Sequence, residues 1–152
     1  KTMKDKFLTV VRYSIIISFL CWFISGATYH IFCKTEIKQK QDSMIHILTN
    51  MKELNKYDIQ DIHPGKSRAL FSQRIIACFF TNEDNEVVAN ELEKNLSNNQ
   101  WHVRIYRYEN DEISLAAKKN GYIIFIETIK DKSGYNWSIS IMEDDFFNRF
   151  NL

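Results

Sequence analysis

The residues in this chain whose types could carry chemistry are few and stand apart from one another. Outside the apolar N-terminal stretch, the Cys and His side chains able to ligate zinc are Cys78, His46, His63 and His102, and no two of them lie at ligand spacing. A zinc site gathers three or four Cys, His or carboxylate ligands, usually visible as close pairs in sequence. Cys78 therefore reads as a small buried hydrophobe and the histidines as surface residues. Acidic groups cluster at Glu83-Asp84-Glu86, Glu109-Asp111-Glu112 and Glu143-Asp144-Asp145. A calcium loop alternates oxygen ligands about a central glycine and closes with a glutamate. None of the three clusters has that order, and they read as a helix cap, a turn and a solvated tail.

Gly65-Lys66-Ser67 has the closing residues of a phosphate-binding loop. Such a loop needs an earlier glycine and a strand feeding it so that backbone amides can wrap phosphate. Position 60 is Gln60 and the preceding segment has a helical pattern, so this reading fails. No G-x-S-x-G elbow is present, and Ser, His and Asp can be grouped only by arbitrary choice. Four glycines leave little backbone freedom for a nucleotide cradle. The expectation is a protein that is not an enzyme and carries no cofactor or metal.

One stretch rises above this background. Arg104, Tyr106, Arg107 and Tyr108 are basic and aromatic residues on and beside an alternating segment, and Arg and Tyr are enriched at interaction hot spots. They are the candidate binding residues, although polar side chains on a solvated sheet face are also ordinary. Twenty basic residues against nineteen acidic ones give a net charge of +1, which lacks the excess of cations needed to grip a phosphate backbone. Nucleic acid is not an expected partner. Sequons at Asn95-Leu96-Ser97 and Asn136-Trp137-Ser138 matter only along a eukaryotic secretory route.

These residues must be positioned by a compact module. Residues 70–81, rich in β-branched and aromatic types, read as a buried strand. Asn82 is the expected N-cap of a helix running to about Ser97, with Glu83, Asp84 and Glu86 at the positive end of its dipole and Val88, Leu92 and Leu96 inward. Trp101, Val103 and Ile105 alternate with His102, Arg104 and Tyr106, which predicts a half-buried strand. A turn at Glu109-Asn110-Asp111 leads to alternating Ile113, Leu115 and Ala117, and Asn120-Gly121 is the signature of a type I′ hairpin turn. Strands over residues 122–130 and 135–141 follow, joined by Asp131-Lys132-Ser133-Gly134. Short turns make such a meander antiparallel. Phe146, Phe147 and Phe150 in the tail recur at helical spacing and are expected to complete the domain's own core.

Ahead of this module lie two further segments. Residues 13–33 contain no acidic or strongly basic side chain and only His30 as a titratable polar one. At about 1.5 Å per residue, roughly 20 residues match a hydrocarbon core of about 30 Å. A transmembrane helix is the leading reading. A cleaved signal peptide would use Lys1, Lys4, Lys6 and Arg12 as its basic region and Ser25-Gly26-Ala27 as its small residues, but the apolar run continues beyond that site. Neither Cys21 nor Cys33 follows small residues as a lipid-attachment cysteine would, and a core helix of so small a domain would show a polar face. Four cations before the apolar segment against Lys34, Lys38 and Lys40 after it favour a cytoplasmic N-terminus by one residue. Residues 34–57 then place Ile37, Met44, Ile47, Leu48, Met51 and Leu54 at helical spacings, and His63-Pro64-Gly65 ends the pattern. The stripe is either a short coiled-coil seam or the buried face of a helix packed on its own domain, and two heptads favour the latter.

The resulting expectation is an α+β protein: a basic flank over 1–12, a transmembrane helix over 13–33, an amphipathic stalk or linker over 34–66, and a compact domain over 70–152. That domain is a two-layer β-α-β-β-β unit with a mainly antiparallel sheet and one covering helix. The expected role is a single-pass membrane-anchored protein whose small domain, outside the cytoplasm, binds or scaffolds other envelope proteins. The alternatives are a structural subunit oligomerising through the transmembrane and stalk helices, and a domain secreted after signal cleavage.

Overall fold

The structure, a computed structural model, describes residues 3–65, 73–108, 111–130 and 134–145. The apolar segment forms α1, Met3–Phe32, within which Phe7–Tyr29 is long and apolar enough to cross a membrane. Most of that stretch is exposed, Gly26 and Tyr29 being the exceptions, and large apolar side chains such as Ile15 and Phe19 are almost two-thirds exposed. The helix is interrupted at a single residue, Cys33, whose amide still donates to Tyr29 and whose carbonyl still accepts from Ile37. α2, Lys34–Thr49, follows at once.

Six antiparallel strands follow: β1, Gln60–Pro64; β2, Arg74–Phe79; β3, His102–Arg107; β4, Ile113–Lys119; β5, Tyr122–Thr128; and β6, Trp137–Glu143. Their order across the sheet is β1-β2-β6-β5-β4-β3. Between β2 and β3, α3, Asn85–Asn98, carries the chain from the strand next to one edge of the sheet to the opposite edge. Consecutive strands β3 to β6 then return as hairpins and close against β2.

Pairing register explains the core. Ala77, Ile139, Ile126, Leu115 and Ile105 lie opposite one another in one row, and Ile75, Ile141, Ile124, Ala117 and Val103 in the next. Because successive strand residues point to opposite faces, these rows share one side of the sheet. Both α2 and α3 pack on that side: Met44 and Leu48 from one, and Val88, Ala89, Leu92 and Leu96 from the other, join the same buried cluster. Phe79, Trp137 and Tyr57 add an aromatic stack, with ring centroids 4.5 Å apart for Tyr57 and Phe79 and 5.9 Å for Phe79 and Trp137.

The two-layer α+β architecture and the antiparallel meander are as the sequence predicts, with two additions. The helical layer holds α2 and a 3-10 turn, Lys52–Leu54, beside α3, and the sheet gains β1. The stripe Met44, Leu48, Met51 and Leu54 faces this domain's own core, each at 6% exposure or less. At the start of α3 the capping residue is Asp84, which accepts from the Glu86 amide at 2.9 Å, two positions after the expected Asn82. The Asn120-Gly121 turn has φ of 51° and 80°, as a type I′ turn requires. The tail phenylalanines Phe146, Phe147 and Phe150, the Glu109-Asn110 turn, and Lys66, Ser67, Leu70 and Phe71 lie outside the described residues.

Candidate functional site

With both helices on one side, no helix among the described residues packs on the other side of the sheet, the open face, although Ile123 and Ser114 on it are buried. It carries three rows in register: Arg74, Met142, Ile123, Lys118 and His102; then Ile76, Ser140, Phe125, Ala116 and Arg104; then Cys78, Ser138, Glu127, Ser114 and Tyr106. The first two rows have apolar or small residues at the centre, the third has Glu127 there, and each ends in a polar residue on β3. A groove of about 690 Å³ lies over the β3 side of this face. Ala116, Ile123 and Phe125 line it, with His102, Arg104, Tyr106 and Lys118 around them.

Alternation along three strands assembles this groove. β3 turns its even-numbered side chains outward, Ala116 on β4 is too small to fill the space between Arg104 and Phe125, and β5 is apolar on both faces. β3 is fixed at its start by the Trp101 amide donating to Leu96, and by Gln100, which makes the turn out of α3 with φ of 67°. Lys119 tightens the same corner, donating to the Asn99 carbonyl at 2.6 Å with its amine 5.9 Å from the Trp101 ring centre.

The charge around the groove is mainly positive. Lys118 lies 3.5 Å from Asp144, whereas Arg104 and His102 make no ion pair among the described residues. The acid on this face, Glu127, accepts from the Ser114 hydroxyl at 2.9 Å. The arrangement suits a ligand with an apolar body and negative groups. It offers no nucleophile paired with a base, and among the described residues no group of three His, Cys, Asp or Glu side chains could hold a metal ion.

Of the four residues singled out by sequence, the fold brings Arg104 and Tyr106 together on the open face. Tyr106 is 45% exposed. Arg107 points to the helix side, where its guanidinium donates to both Glu86 carboxylate oxygens and to Asn90, all at 3.0 Å, and so ties β3 to α3. Tyr108 is exposed just past the strand, its amide donating to Glu112. Lys118, Ala116, Ile123 and Phe125 complete the groove and were not singled out by sequence. Their signal lies in the register of β3 to β5, which puts them beside Arg104 only once the hairpins are paired. His63 sits on β1 at the opposite edge of the sheet with its Nδ1 at 2.7 Å from the Asp61 carbonyl, and His46 is exposed on α2. Cys78 is half-buried on the open face.

A second recess of about 440 Å³ lies between the end of α2 and the Asn120-Gly121 turn, lined in part by Ile47, Asn50, Trp101, Lys119 and Tyr122. Lys119 there is already engaged with Asn99 and Trp101. In the middle of α2, Lys40 pairs with Glu143 at 3.0 Å, and the hydrogen bond to that carboxylate raises the Lys40 amine above the usual lysine range. No protein-family model, no curated protein and no solved structure matches this chain.

Proposed function

We propose that this chain is a single-pass membrane protein whose sheet domain, held outside the cytoplasm by α1, binds or scaffolds other proteins of the envelope through its open sheet face. The observation that carries the reading is the groove beside β3: an apolar floor, exposed Tyr106, and the cation Arg104 with no ion-pair partner among the described residues. Exposed Tyr and Arg next to an apolar recess are the features concentrated in protein-binding hot spots. The exposed apolar surface of α1 supports the anchor. The alternative of assembly through the stalk draws less support, since Met44 and Leu48 are used inside the domain.

The test is photocrosslinking of the full chain in its native membranes. A crosslinker at Tyr106 is expected to yield discrete protein adducts that Arg104→Glu abolishes, whereas one at exposed Val87 on α3 yields none. Equal adduct patterns at the two positions would refute the proposal.

A further inference from the structure

We propose that β3 takes an extended segment of a partner protein as a seventh strand, and that the partner's side chains on the open side of the sheet are acidic at alternate positions. This rests on reading the open face as a protein-binding surface and adds the mode of binding and the partner's chemistry.

The sheet has two edges, and they differ. β1 is guarded: Pro64 lacks an N–H, Asp61 has φ of 52°, and the register slips between Gln60 and His63. Proline and bulges spoil an edge as a template for pairing. β3 has neither device. It pairs with β4 in unbroken register from His102 to Arg107, and among the described residues no hydrogen bond reaches its outward backbone groups. Unpaired N–H and C=O groups in a regular row are what an added strand needs.

Charge selects the occupant. β3 contains His102, Arg104 and Arg107 and no acid, with Lys118 directly across from His102. A second copy pairing edge to edge would add another Arg104 and no acid to the same face, and like charges facing across strands are unfavourable. An acidic strand would instead supply the counter-charge that Arg104 lacks among the described residues. On the helix side, Val103 and Ile105 end the two core rows and are only half-buried. Apolar side chains on the partner's other face would cover them. The two faces together call for an alternation of acid and hydrophobe, the period that a strand provides.

The test uses the full chain in lipid nanodiscs and a displayed library of random linear peptides. Selection is expected to enrich peptides with Asp or Glu alternating with apolar residues. Their affinity is expected to fall about tenfold or more on Arg104→Glu, an exposed position. Amide hydrogen exchange of the complex is expected to show new protection along β3. Peptides that bind through Arg104 without protecting β3 would overturn strand addition and leave the face standing as a binding surface. Absence of enrichment, or enrichment indifferent to Arg104→Glu, would overturn the proposal even where Tyr106 crosslinks a protein in membranes. Protection of β3 on raising the protein concentration alone would assign the edge to a second copy and overturn it as well.

Discussion

Tyr57 is 7% exposed, lies against Phe79 in the aromatic stack, and has a buried hydroxyl with no hydrogen-bond partner among the described residues. Burying a hydroxyl without a partner costs on the order of 1–3 kcal/mol. Tyr57→Phe is therefore expected to raise stability at neutral pH by about 1 kcal/mol, read as a higher urea midpoint at unchanged slope. A lower midpoint would mean the hydroxyl has a partner. The same group sets an alkaline limit. Burial, with Glu91 nearby, pushes the Tyr57 hydroxyl up from 10.0 to about 12. Below pH 10 both folded and unfolded chains keep the proton, and the contribution is fully present. As pH rises toward 12 the unfolded chain loses the proton first, so unfolding is increasingly favoured and stability falls. Lys56 acts in the same sense, because hydrogen bonds to Glu91 and Glu83 raise its amine above the ordinary 10.5. Stability is expected to decline between about pH 10 and pH 12, and less steeply in Tyr57→Phe, in chemical denaturation followed across that window. An unchanged slope in the variant would remove Tyr57 from the account.

Among the elements, α3 offers the sharpest contrast between what sequence spacing shows and what packing decides. Asn82 and Asp84 are both good capping residues, and only the loop geometry assigns the role: Asp84 adopts the extended backbone of a cap, while Thr81 accepts from the Glu83 amide one turn earlier. Asp84→Ala is expected to cost about 1 kcal/mol, and Asn82→Ala less than about 0.5 kcal/mol, by thermal unfolding. Equal losses would return the cap to Asn82. Strands β3 to β6 were legible because Ile, Val and Leu recur at every second residue between turn signals, and because Asn120-Gly121 tolerates positive φ at both positions. β1 was not legible. It is short, with only Ile62 packed against the core, so it has no alternation to read, and its last residue, Pro64, is an ordinary turn signal that an edge strand happens to accept. The groove was half legible: the outward parity of Arg104 and Tyr106 follows from alternation, whereas Lys118 and Phe125 join them through pairing, which one strand's pattern cannot specify.

At the scale of the whole molecule, the segment read as a stalk determines how the domain sits on α1. α2 runs across the strand ends while contributing Met44 and Leu48 to the core, so the domain cannot swing freely on it: a charge at either position would have to be buried. Met44→Asp is expected to unfold the domain, seen as loss of protection in β2 and β6, because an unpaired buried charge costs several kcal/mol. A domain that stayed folded would make α2 a detachable stalk.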